Sequence, residues 1–173
     1  MNNLLKSSVF ILLLAALFLT GCNEIEGKLV NGDKHITAEI DEAISDYIIE
    51  KYSSSYPDTD KQFEVHRVYG TSESEGVLSV YMWSYYSGFN KSTGLESQAG
   101  HSLPAVIRLR NEGENYSVIE YLEPQDGSYY LSSLEEMFPK KYVRLAKKDS
   151  GNIEDLQKEM DLKVKQWLEE PAN

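Results

Sequence analysis

The sequence contains a single cysteine. An internal disulfide framework and a cysteine-based zinc site are therefore both excluded. Five prolines and 11 glycines are too few for a collagen-like or Pro/Gly-rich disordered chain. Positive charge is scarce: 17 Lys+Arg stand against 28 Asp+Glu, a net charge of −11. A phosphate-backbone ligand, and hence nucleic acid, is not expected as a partner. The longest apolar run, Val9 to Leu19, spans only about 16 Å as a helix, whereas a membrane crossing takes roughly 20 apolar residues. What remains is ordinary globular composition: 41% hydrophobic, 26% charged and 11% aromatic over 173 residues, enough for one domain.

The short apolar run, preceded by the polar Met1 to Lys6, has the form of a signal-peptide core. It ends in Leu19-Thr20-Gly21-Cys22, which resembles a bacterial lipobox, the pattern Leu-x-Gly/Ala-Cys that closes a lipoprotein signal. The resemblance implies diacylglyceryl transfer to the Cys22 thiol and cleavage just before it. Residues 1–21 are then leader, and Cys22 is a lipidation site on the outer side of the cytoplasmic membrane. Two acyl chains, at about 0.8 kcal/mol per buried methylene, anchor stably where one does not. Removing the leader takes away one charge, Lys6, so the mature chain is still more acidic. Net charge predicts that its surface is repelled by anionic lipid, leaving the acyl chains to hold it.

Residues 22–34 are polar, with Gly27 and Gly32 and no apolar periodicity, and read as a lipidated tether with a reach of about 40 Å. Residues 35–170 read as a single domain. Ile36, Ile40, Ala43, Ile44, Tyr47, Ile48 and Tyr52 recur at helical spacing after Thr37, a helix N-cap. The period then shortens. Gln62–Thr71, Val77–Ser87, Leu103–Asn111 and Tyr116–Glu123 are predicted strands rich in β-branched and aromatic residues. Two consecutive hairpins make a four-stranded antiparallel meander the simplest topology. Alternation suggests one packed face, under the 37–52 helix, and one wetter face. Ser132 and Glu135 match a capping box opening a short helix that Pro139 stops, and Asn152 opens a last helix. The expected class is α+β: a four-stranded antiparallel sheet covered by an N-terminal helix, with two C-terminal helices. By analogy this is cystatin-like or nuclear-transport-factor-like.

Motifs for chemistry are few. His35, His66 and His101 are scattered and form no His-Glu-x-x-His zinc helix; they read as surface or satisfied side chains, and no metal or other cofactor is expected. Neither Gly-x-Ser-x-Gly nor Ser-x-x-Lys occurs, and Lys91-Ser92-Thr93-Gly94 only echoes an acyl-transfer motif. No Gly-x-Gly phosphate loop is present. Glu120 and Glu123 fit a charged solvent face better than a glycosidase pair. The unusual feature is aromatic. Tyr81, Trp83 and Tyr85 share one strand face, either as a flat binding platform for a sugar, peptide or protein, or as rings packed beneath a helix.

Residues 38–142 also resemble the C-terminal extracytoplasmic region of membrane metallopeptidases of the β-lactam-sensor type in Gram-positive bacteria. The matching residues include Ala43 to Tyr52, Glu64-Val65-His66 with Gly70, Val80-Tyr81 and Pro104. The most distinctive run is Glu120 to Tyr130, followed by Phe138-Pro139-Lys140. The resemblance implies a sensory or protein-interaction domain. It brings no catalytic residue, because the metallopeptidase half and its zinc helix are missing. The expected function is a lipid-anchored extracytoplasmic binding or regulatory module, not an enzyme, meeting an envelope protein or cell-wall ligand. The alternative is an envelope hydrolase acting on cell-wall sugar or peptide.

Overall fold

The computed structural model describes residues 28–113 and 115–171. The leader, Cys22 and most of the tether lie outside the described residues. Among the described residues no helix is long and apolar enough to cross a membrane.

The protein is α+β. The elements run β1 (Val30–Asn31), α1 (Ala38–Tyr52), β2 (Lys61–Ser74), β3 (Val77–Phe89), β4 (Ala99–Asn111), β5 (Tyr116–Leu122), a 3-10 turn (Gly127–Tyr129), α2 (Tyr130–Met137), α3 (Lys140–Asp149) and α4 (Glu154–Glu169). The sheet has five strands in the order β1-β2-β3-β4-β5, each antiparallel to its neighbour. The expected meander is present as β2 to β5. The fifth strand is one the sequence hid, since two residues show no alternation. Leu29 packs into the core behind it, so the stretch read as a tether joins the fold well before residue 34.

Local chemistry explains the elements. Thr37 Oγ1 accepts from the Ile40 amide at 3.4 Å, and Glu39 and Asp41 lie at the positive end of the α1 dipole. Ile40, Ile44 and Ile48, four residues apart, make its buried stripe. The β2–β3 hairpin turns on Glu75 and Gly76, both at positive φ, +52° and +75°. That primed geometry matches the twist of the flanking strands, and it places a non-glycine residue in the left-handed region. At the corner expected from Pro124 to Tyr130, Gly127 sits at φ +68°, and the Ser133 hydroxyl accepts from the Gln125 amide at 2.9 Å. The expected capping box does not form. α2 starts at Tyr130, and Ser132 Oγ donates to the Tyr129 carbonyl instead.

Both faces of the sheet are covered, which corrects the expectation of a wetter face. Ile40, Ile44 and Ile48 of α1 pack on Leu78, Val80, Met82, Tyr86, Ala105, Ile107 and Leu109. On the other face Val65, Tyr69, Trp83, Phe89 and Val106 pack under residues of α2, α3 and α4, including Leu134, Tyr142, Val143, Met160 and Trp167. Three helices do this, not two. Helix α3 went unread because its apolar residues, Tyr142, Val143 and Ala146, are few among cations. Pro139 also marks a helix start here as much as a stop. The far end of β4, with exposed Arg108 and Arg110, keeps the wet character that alternation suggested.

Candidate functional site

Trp83, Tyr81 and Tyr85 point into the layer beneath the C-terminal helices. Trp83 is 4% exposed, and its indole N–H donates to Ser102 Oγ at 2.6 Å. Tyr81 lies with its ring centroid 5.7 Å from that of Phe138 and 5.4 Å from that of Tyr142. Tyr85 is half-buried against the same cluster. The three rings thus line a helix–sheet interface. Trp83→Ala should cost about 3–5 kcal/mol of unfolding free energy in urea; an open platform residue would cost a fraction of that.

The opposite face holds a polar cluster that the sequence reading did not assemble. Alternation puts Glu64 and His66 on one side of β2, and the register sets them opposite Tyr86 and Ser84 of β3. Tyr86 in turn faces His101 on β4. Glu64 is 1% exposed. Its carboxylate accepts from Ser45 Oγ at 2.8 Å and Ser84 Oγ at 2.7 Å, and pairs with His66 Nδ1 at 3.0 Å. The other imidazole nitrogen lies 3.3 Å from Asp41 Oδ1, within ion-pair range but not aligned as a hydrogen bond.

Burial alone would raise the Glu64 pKa. The His66 charge and hydrogen bond, with both serine donors, more than offset it and hold the carboxyl below the ordinary glutamate value. Burial likewise opposes a charge on His66, yet Glu64 and then Asp41 outweigh burial and Lys163, and hold the imidazole above the ordinary histidine value. The geometry is that of an ion pair clamped by hydroxyl donors. Ser45 and Ser84 aim at the carboxylate, so neither is poised against the imidazole as a nucleophile to its base.

Beyond Tyr86 the row ends in an aromatic box. His101 stacks on Tyr86 and Tyr56 at 5.4 and 5.8 Å between centroids, and meets Tyr52 edge-on at 4.2 Å. Its Nδ1 bonds the Tyr56 hydroxyl at 2.9 Å, and Tyr52 donates to Glu123. Here burial dominates, and the His101 imidazole lies below the ordinary histidine value against the pull of Glu123 and Glu64. One sheet face therefore tunes two histidines in opposite directions, by a carboxylate in one case and by desolvation in the other.

A cleft of about 590 Å³ opens beside His66, between the turn after β1, the start of α1, β2 and α4. Its lining includes Asp33, Asp41, His66, Arg67, Asp155 and Glu159. Arg67 forms the shared wall with a second cleft of about 580 Å³. It pairs with Asp149 at 2.5 Å and with Asp155, and Tyr69 donates to Asp149 at 2.9 Å. Lys163 of α4 reaches the Glu64 carbonyl at 2.9 Å, covering part of the β2 edge that β1 leaves bare. Among the described residues no group of three or more His, Cys, Asp or Glu is arranged to hold a metal ion.

Compared with known proteins, the chain matches no family model, no curated protein and no solved structure.

Proposed function

We propose that this chain is a bacterial lipoprotein, acylated at Cys22, whose body is an extracytoplasmic binding or regulatory module. The observation that supports the anchor is the Leu19-Thr20-Gly21-Cys22 run behind a short apolar segment. The short distance from Cys22 to the fold agrees with it, since β1 begins at Val30. The cleft beside His66 offers a place for a ligand or partner contact. Its lining sets Asp33, Asp41, Asp155 and Glu159 against His66 and Arg67, both already paired with acids, and suits a polar partner carrying positive charge. The resemblance of residues 38–142 to a sensor's extracytoplasmic region points the same way. We read the helix laid over a meander, with three helices on the second face, as a cystatin-like or nuclear-transport-factor-like arrangement by analogy.

Cys22→Ser is the direct test of the anchor. The variant should accumulate as uncleaved precursor or be released from the membrane; an unchanged membrane-bound mature form would refute acylation. For the module, a photo-crosslinker at the cleft rim in place of Glu159 should trap an envelope component. The same group at exposed Glu169, at the end of α4, should not. Turnover of cell-wall glycan or peptide, lost in His66→Gln, would replace this reading with a hydrolase.

A further inference from the structure

The chain is acidic overall, yet five of its 17 basic residues fall within the ten residues of α3: Lys140, Lys141, Arg144, Lys147 and Lys148. The helix buries Tyr142, Val143, Ala146 and Asp149. The spacing i, i+4, i+8 puts Lys140, Arg144 and Lys148 in one row on the opposite side, and all three are exposed. Lys147 flanks the row and pairs with Glu135 at 3.1 Å. Leu145, 40% exposed, lies beside it.

Lys147 and Lys148 suit the negative end of the dipole, but the rest of the arrangement works against the helix. Like charges four residues apart repel, and Lys140 and Lys141 sit at the positive end of the dipole. Asp149, the one acid in the helix, is buried and already paired with Arg67. A local conflict of this kind points to a counter-anion outside the fold.

The place of α3 says where that anion is. The Tyr142 hydroxyl donates to the Val30 carbonyl at 3.1 Å, and Lys141 Nζ donates to Asn31 Oδ1 at 2.7 Å. The start of α3 is thus fastened to β1, where the chain enters the fold. From Cys22 to Val30 the chain reaches at most roughly 25–30 Å, less than the roughly 35–40 Å width of a body this size. So short a leash cannot let the body turn freely, and the surface around β1 and α3 faces the anchor.

We propose that the exposed cationic row of α3 docks the anchored body onto a bilayer surface carrying anionic headgroups. The inference rests on acylation at Cys22. It also revises the expectation from net charge, because the row meets the headgroups while the acidic remainder is turned outward. Each cation near an anionic surface is worth about fivefold in affinity, and a lipid chain with a basic patch is a recognised two-signal anchor.

The test uses the mature acylated protein, reconstituted into phosphatidylcholine vesicles and into phosphatidylcholine–phosphatidylglycerol vesicles. Amine acylation at each lysine is followed by mass spectrometry. On the mixed vesicles Lys140, Lys147 and Lys148 should react several-fold more slowly than on the neutral ones, recovering in high salt. Lys61 and Lys165, both exposed, should be unchanged. Lys140→Gln, Arg144→Gln and Lys148→Gln combined should not lower the melting temperature and should lose the protection of Lys147. Equal rates on both vesicles, or protection that survives the triple substitution, would overturn docking. Protection by soluble inorganic polyphosphate without protection by mixed vesicles would replace the bilayer with an anionic polymer. Retention on neutral vesicles reads the acyl anchor separately. Loss there with protection on mixed vesicles removes the anchor and leaves the cationic face. Retention on both with equal labelling does the reverse.

Discussion

Glu64→Ala should lower unfolding free energy by about 3–5 kcal/mol near pH 6, measured by urea denaturation. The substitution strands three groups at once. His66 loses the carboxylate that supports its charge, and the Ser45 and Ser84 hydroxyls lose their acceptor. The pH dependence should change with it. His66 has a raised pKa in the fold, so its contribution is complete below the unfolded value of about 6.5. That contribution is lost as pH rises through the folded value. Glu64 is depressed; it contributes above about 4.3 and loses that contribution as pH falls through its folded value. The wild-type protein should therefore weaken on both sides of a mildly acidic to neutral plateau. In Glu64→Ala the alkaline limb should flatten, since Asp41 alone remains to support the imidazole charge. An alkaline limb of unchanged steepness would show that the pair does not carry this dependence.

Gly70→Ala should cost about 2–3 kcal/mol and loosen the N-terminal strand. A β-carbon at Gly70 would overlap the Tyr142 hydroxyl and the Val30 carbonyl. Both are backed by rigid partners, because Val30 is paired to Thr71 and Tyr142 is buried. The glycine is there for close approach and not for an unusual φ. Hydrogen exchange should show the Gly32 amide, which donates to the Tyr69 carbonyl at 2.9 Å, losing protection beyond the global change. Equal protection of Gly32 in both proteins would mean the clash is absorbed elsewhere.

These two sites also mark how far the sequence could be read. Strong periodicity made α1 legible, because Ile40, Ile44 and Ile48 repeat at four and Thr37 caps them. The four long strands were legible from β-branched and aromatic runs, to within a few residues at their ends. Elements held by tertiary contact were not. Val30–Asn31 is a strand only because Gly70 allows it near β2, and α3 is a helix although most of its residues are charged. The aromatic row at Tyr81, Trp83 and Tyr85 was visible, but its cover came from helices whose docking no local pattern encodes. The Glu64–His66 pair left a faint signal. Two ionisable residues two apart in a strand must share a face, and a face that also carries Val68 and Ser84 is one to suspect of burial.

The clasp at β1 has a mechanical side. If Cys22 carries the proposed anchor, a pull on it enters the fold at Leu29 and Val30, where the packing of Leu29, two residues of pairing, the Gly32 amide, the Tyr142 hydroxyl and one lysine resist it. Peeling that clasp frees the chain only to about His35, which meets Thr71 Oγ1 at 3.3 Å, and Ile36, which packs with α1, so the N-terminal segment lengthens by a few residues while β2 to β5 stay paired. Load arriving from the N-terminal side is thus met first by a small clasp, ahead of the long strands and the helices packed on them.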